Sequence, residues 1–241
     1  MAEDRIYAMP LDRVGDFEFD DRVVDVFPDM ISRSVPGYAS VLAMTAELAE
    51  RYATPGSVIY DLGCSLGATS LLMRTRVPGD CTIKAVDSSP AMVAKLRGLL
   101  VKEALPACEL EVIEDDVRRV AIANTSFAVL NFTLQFVPID GRKSLLQRIY
   151  DGMNNGGALV LSEKVHFSCS DRQQLMTDLH HAFKRANGYS DLEIAQKRTA
   201  LENTLTTETI LQHEDRLQEV GFRVVTVWFQ CFNFVSILAV K

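Results

Sequence analysis

Residues Val58–Met73 read VIYDLGCSLGATSLLM. An apolar, β-branched run closes at Asp61-Leu62-Gly63, and helical spacing begins at Ala68. This pattern predicts a buried strand entering a helix through a glycine turn, the element around which open α/β sheets bind their ligands. The turn itself, Gly63-Cys64-Ser65-Leu66-Gly67, does not match the dinucleotide fingerprint G-x-G-x-x-G. Ser65 stands at the second glycine position, and Gly67 is out of register for the third. A pyrophosphate needs that position clear of side chain and bare amides at the helix start. A ligand without phosphate tolerates a small Ser side chain there.

The alternation continues outward from this turn. Cys81–Asp87 reads as a second strand. Ser88–Ala104 reads as a helix opened by a serine cap and Pro90. Cys108–Asp116 and Ser126–Leu134 are a third and a fourth strand, and Gly141–Met153 is an amphipathic helix ended by a turn at Asn154–Gly157. Gly157–Val165 is a fifth strand. Strand and helix alternating at this spacing predict right-handed βαβ units and a parallel sheet. The tail, GFRVVTVWFQCFNFVSILAVK (Gly221–Lys241), is two β-rich runs with no room for a helix between them. They must pair as an antiparallel hairpin at or near the sheet edge. The expected class is α/β: a Rossmann-like class I S-adenosylmethionine-dependent methyltransferase fold, with a mostly parallel sheet ending in that hairpin.

Two segments lie outside the pattern. Residues 1–55 are expected to form an N-terminal helical extension, with a helix over Tyr38–Ala53. Residues 56–241 form the cofactor-binding domain, including a helical lid insertion at 166–220 whose helices lie in Asp171–Gly188 and Thr206–Gly221.

Composition narrows the classes further. A chain of 241 residues suits one α/β domain. Its formal charge of −7, without a basic run, disfavours direct nucleic-acid binding. Five scattered cysteines without C-x-x-C, and four histidines without ligand spacing, predict reduced thiols in the cytoplasm and no metal. The N-terminus is polar and acidic, unlike a signal peptide, and the longest apolar run, FVSILAV, is too short for a membrane span.

The strand ends suggest the ligand. Asp61 is placed for an ammonium group, and Asp87 can accept both ribose hydroxyls of an adenosine. Capping of the next helix does not require Asp87, because Ser88 or Ser89 can cap it. Asp116 with the Val117 amide can meet the adenine edge, and Asn131 would face a methionine moiety. Together they read as a site for S-adenosyl-L-methionine.

At this point the chain resembles the carboxy-S-adenosyl-L-methionine synthases. The resemblance rests on DLGCSLGATS, VDSSPAM, VLNFTLQFVP, FKRANGYSDLEIAQKR, WFQCFNF and, in the N-terminal extension, VFPDMISRSVPGY. It covers essentially Phe17–Lys241. It departs from the usual pattern at Ser88, where Asn is expected, and at Val117, where Ile is usual. The resemblance implies carboxyl transfer from prephenate to the sulfonium methyl of S-adenosyl-L-methionine through an ylide. The products are carboxy-S-adenosyl-L-methionine and phenylpyruvate, and the former serves wobble-uridine modification of tRNA by a second enzyme. It implies a homodimer and ligand contacts at Tyr38, Gly63, Cys64, Ser65, Asp87, Ser88, Asp116, Val117, Asn131 and Arg198. Tyr38, Asn131 and Arg198 are the residues expected to act in the reaction, with the Arg198 fork holding the new carboxylate. Arg33 is a second candidate cation for prephenate. His180 and His181, as helix neighbours, are expected to point to different faces, one inward and one outward. Cys64 is expected as a small filler, not a nucleophile. The rivals are an ordinary small-molecule methyltransferase, a non-catalytic S-adenosyl-L-methionine-binding protein and, more distantly, a nicotinamide dehydrogenase.

Overall fold

The computed structural model describes residues 2–101 and 108–241. Seven strands form one sheet: β1 (Val58–Leu62), β2 (Thr82–Asp87), β3 (Glu109–Glu114), β4 (Thr125–Asn131), β5 (Met153–Lys164), β6 (Val224–Cys231) and β7 (Phe234–Val240). Their order is β3-β2-β1-β4-β5-β7-β6. The first five run parallel, and β7 pairs antiparallel with both β5 and β6. The winding reverses between β1 and β4, which makes the carboxyl ends of these two strands the expected ligand crevice. β4 reads as an unbroken apolar run because both its faces are covered, and Phe127–Leu130 are fully buried.

Helices α1 (Asp21–Ser34), α2 (Tyr38–Tyr52), α3 (Ala68–Arg74), α4 (Pro90–Leu100), α5 (Ile139–Gly152), α6 (Ser170–Ala186), α7 (Asp191–Leu201) and α8 (Ile210–Glu219) complete the chain. Ala46 and Ala49 of α2 and Met73 of α3 pack with Ile59 and Phe127 on one face of the sheet. Leu145, Leu146 and Ile149 of α5 and Leu217 of α8 fill the other. The N-terminal helix α2 is thus a layer of the same core.

Ser89 caps α4 by accepting from the Met92 amide at 3.3 Å, with Pro90 in the first turn as expected. Residues 102–104 of the expected helix lie outside the described residues. Three features differ from the sequence reading. The expected turn at Asn154–Gly157 lies inside β5, where the register against β4 jumps between Thr125 and Phe127 and Gly156 takes a φ of 79°. Helix α1 is hidden from periodicity by Pro28 in its interior, yet Asp20 caps it through the Val23 amide at 3.1 Å. Helix α7 opens with a capping box of Ser190 and Glu193.

A strap ties the N-terminus to the lid. Tyr189 Oη donates to Asp4 Oδ2 at 2.5 Å, and Gln196 Nε2 donates to the carbonyls of Tyr7 and Met9, both at 2.9 Å. Residues 4–9 are thereby fixed against α7, above the carboxyl ends of the strands.

Candidate active site

The glycine turn after β1 is built from left-handed backbone. Gly63, Ser65 and Gly67 have φ of 83°, 49° and 74°. At Gly63 a Cβ would overlap Thr133 Oγ1 and stand 2.5 Å from Thr133 Cγ2, and at Gly67 it would stand 2.6 Å from Leu96 Cδ1. A side chain at either position would be strained by the backbone and would have to displace its neighbour. Ser65 is different. Its amide donates to Asp87 Oδ2 at 2.8 Å, and its side chain lines open space. The turn needs an amide aimed at Asp87 there, and nothing in the fold requires the side chain to be absent.

That space is a cavity of about 510 Å³ over the carboxyl ends of β1, β2 and β4. Tyr38, Asp61, Gly63, Cys64, Ser65, Asp87, Ser88, Asp116, Val117 and Asn131 all line it. Five segments far apart in sequence are therefore brought together around one cavity.

Each acid is held differently. Asp61 is 1% exposed and accepts from Ser70 Oγ at 2.6 Å. Burial pushes its pKa up to about 6 against the opposing pull of the Ser70 bonds. Asp87 accepts from the Ser65 and Ser89 amides, at 2.8 and 2.9 Å, so it braces the turn as well as facing the cavity. Burial raises its pKa and these amides oppose the rise. Asp116 is gripped by the Arg118 fork, with Nε at 3.0 Å and Nη2 at 2.5 Å, which holds its carboxyl below the usual range. Asn131 donates to Thr69 Oγ1 at 3.2 Å and accepts from Ser162 Oγ at 2.7 Å, so its amide orientation is fixed. Burial, with the Asp61 charge beside it, raises the Tyr38 phenol. Burial likewise raises the Cys64 thiol far above its ordinary value, which suits a filler and not a nucleophile.

The methyltransferase-domain family matches residues 59–157. A carboxy-S-adenosyl-L-methionine synthase from Trichlorobacter lovleyi is 55% identical over 239 residues, covering 99% of this chain and 98% of that protein. Another, from Escherichia coli O17:K52:H18, is 50% identical, covering 99% and 96%. The chain belongs to the carboxy-S-adenosyl-L-methionine synthase family. Among solved structures, human N-acetylserotonin methyltransferase in complex with S-adenosylmethionine aligns with a TM-score of 0.60 at 19% identity, over 92% of this chain and 55% of that one. Magnesium protoporphyrin IX methyltransferase from Synechocystis PCC 6803 aligns at 0.61 and 13% identity, over 94% and 90%. These distant likenesses speak to the fold alone, which is that of the class I S-adenosylmethionine-dependent methyltransferases.

Arg198 does not line the cavity of this family member. It lines a separate surface cleft on α7 with His181, Arg185 and Asp191. Its neighbour Lys197 lines the cavity instead. Adjacent residues on a helix differ by about 100°, so the two side chains of this pair point to different sides. Arg33 is committed elsewhere: it pairs with Asp29 at 3.0 Å, donates to the Asn187 carbonyl at 2.6 Å and lies 3.9 Å over the Tyr189 ring. It is a structural cation, not a substrate ligand. His180 lines the cavity, with Nε2 at 2.9 Å from the Ser34 carbonyl, while His181 is partly exposed.

The sequence reading missed the lysines. Lys164, Lys184 and Lys197 all line the cavity. One signal was available: His180 and Lys184 are four residues apart, so the inward histidine carries Lys184 with it.

Proposed function

We propose that this chain converts S-adenosyl-L-methionine and prephenate into carboxy-S-adenosyl-L-methionine and phenylpyruvate. The observation that carries the reading is family membership over nearly the whole chain, together with a cavity whose acids sit at the β1 and β2 ends. Prephenate loses carbon dioxide and its ring hydroxyl as hydroxide, and the ring becomes aromatic. Hydroxide takes a proton from the sulfonium methyl, giving water and an ylide, and the ylide carbon attacks carbon dioxide. The new bond carries a carboxylate on the former methyl carbon.

In this scheme Asp61 holds the methionine ammonium, Asp87 the ribose hydroxyls, and Asp116 with the Val117 amide the adenine edge. Gly63, Cys64, Ser65 and Ser88 supply close backbone around the ligand. Tyr38 and the fixed Asn131 amide flank the reacting sulfonium. The apolar walls, including Phe19, Phe132 and Phe234, keep bulk water from the ylide. Arg198 lies outside its own chain's cavity, and this reading gives it the carboxylate held in a neighbouring subunit of a homodimer. The product then supplies wobble-uridine modification of tRNA by another enzyme, in keeping with the acidic charge of this chain.

The test is mass spectrometry after incubating the protein with S-adenosyl-L-methionine and prephenate. The expected product is S-adenosyl-L-methionine plus one carboxyl group, with phenylpyruvate in equal amount. Formation of S-adenosylhomocysteine alone would assign the chain to ordinary methyl transfer.

A further inference from the structure

The cavity is electrically polarised. Asp61 and Asp87 stand where β1 and β2 end, and Lys164, Lys184 and Lys197 come from the end of β5, beyond β4, and from lid helices α6 and α7. We propose that Lys164, Lys184 and Lys197 form a second-substrate subsite that receives a small dianion, the two carboxylates of prephenate under the reading above.

Three observations support this. First, Lys184 and Lys197 are buried, Lys164 is half-buried, and among the described residues Lys164 and Lys184 are without an acid. Lys184 is 8% exposed and Lys197 6%. Lys197 Nζ donates to Ser34 Oγ at 3.0 Å and lies 3.6 Å from Asp4 Oδ2. Among the described residues the ammonium groups of Lys164 and Lys184 have neither an acid within ion-pair distance nor a hydrogen-bond acceptor. An ammonium that faces a partly enclosed cavity without an acid beside it is stabilised by an anionic ligand placed there. With Asp4 set against Lys197, the amino groups of Lys164 and Lys184 are left to face a ligand, one for each carboxylate of a dicarboxylate.

Second, the placement fits the second substrate and not the cofactor. In open sheets the cofactor lies across the switch point, here the ends of β1 and β4 and the turn at Gly63–Gly67. The lysines come from the next strand outward and from the lid. A cationic sulfonium beside three ammonium groups would be repelled unless an anion lay between them.

Third, burial pushes all three ammonium groups down: Lys184 to about 7, helped by the charges of Lys197 and Lys164, Lys197 to about 8 against the pull of Asp4, and Lys164 with the help of the Arg198 charge. The groups that face this cluster are His180, which burial keeps neutral, the Asp4 carboxylate, and Arg198, whose charge acts on Lys164. Arg33 and Asp29, which pair with each other, also act on Lys197, so the acids facing the cluster are Asp4 and the already paired Asp29.

The experiment uses Lys184→Met, which keeps the volume and removes the charge, with Lys164→Met as an independent second variant. Prephenate is titrated into full-length protein saturated with S-adenosylhomocysteine, so that no turnover occurs, and S-adenosyl-L-methionine binding is measured in parallel. We expect prephenate affinity to fall by at least about tenfold in each variant, with the KM for prephenate rising in step, while S-adenosyl-L-methionine affinity stays within about twofold. Unchanged prephenate affinity in both variants overturns the proposal, as does a parallel loss of S-adenosyl-L-methionine affinity, which would give the lysines to the cofactor. The reading of the reaction fails separately: lysine-dependent prephenate binding by a protein that forms no carboxylated product would sustain this subsite and refute the carboxyl transfer.

Discussion

Asp61→Asn is expected to move stability and cofactor affinity in opposite directions. In the folded protein the Asp61 pKa is about 6, against an ordinary carboxylate value of 3.8. Each unit is worth about 1.4 kcal/mol, so ionising Asp61 in the empty protein costs about 3 kcal/mol. The sign follows from linkage. Below 3.8 the group is protonated in both states and the penalty is absent. Between 3.8 and about 6 the unfolded chain ionises first and the penalty grows. Above 6 it is fully present. Asparagine removes it, less whatever its NH₂ loses by lacking an acceptor other than Ser70 Oγ. The empty variant should therefore be more stable than wild type at pH 7.5 by roughly 1–3 kcal/mol, each raising Tm by about 2–4 °C in a domain of this size. The difference should vanish near pH 4. S-adenosyl-L-methionine should bind the variant about 1.5–3 kcal/mol more weakly, because its ammonium loses a charge-assisted acceptor. Calorimetric melts of the empty protein from pH 4 to 8, with isothermal titration at pH 7.5, measure both. A variant that melts lower than wild type at pH 7.5 and binds S-adenosyl-L-methionine equally well would refute the reasoning and make Asp61 a structural acid.

Gly63→Ala should weaken S-adenosyl-L-methionine binding at least about tenfold, because left-handed backbone costs about 1–2 kcal/mol with a Cβ and the new methyl collides with Thr133. Adding Thr133→Ala should restore part of the loss, and titration calorimetry showing no deficit in the single variant would remove the steric argument. Arg198→Ala should cost about 2–4 kcal/mol in affinity for carboxy-S-adenosyl-L-methionine and much less for S-adenosyl-L-methionine. Equal losses, or a stable monomer in sedimentation velocity at micromolar concentration, would end its role in the neighbouring site. Arg142 is fully buried, pairs with Glu208 and donates to the carbonyls of Val137 and Thr206 at 2.9 and 2.8 Å. Arg142→Met should lower unfolding free energy by about 3–5 kcal/mol, and a denaturant melt changed by less than 1 kcal/mol would show that Glu208 needs only Arg216.

The fold was legible wherever local pattern and tertiary burial agree. β1 and β4 are largely apolar runs because they are buried, and the glycines of the turn announce left-handed backbone that a side chain disfavours. The acids of the site were legible because each stands at or just after the carboxyl end of a parallel strand, on the edge where the cavity opens. What failed to show depends on rotation about a helix or on distant segments meeting. Lys197 and Arg198 look alike as a basic pair, and only the packing of α7 decides which faces the cavity. Lys164, Lys184 and Lys197 belong to three elements, and each alone reads as a solvated surface lysine. Arg33 shows the reverse error, since a lone cation near a site reads as a ligand until its partners Asp29 and Tyr189 are seen.

The buried acid and the buried lysines express one principle from opposite sides. Burial lifts Asp61 to about 6 and lowers Lys184 to about 7, so each is driven toward its neutral form in the empty cavity. An ammonium beside Asp61 and a carboxylate beside Lys184 would each restore the charged form at its own end, so the whole cavity is charge-matched when both ends are filled. A cavity of this kind resists a single charged ligand at the wrong end, because that ligand would meet a like charge and leave the opposite end uncompensated. It accepts a cation-bearing cofactor together with a dianion, and the sulfonium methyl would then lie between the two, where an ylide and carbon dioxide have to meet.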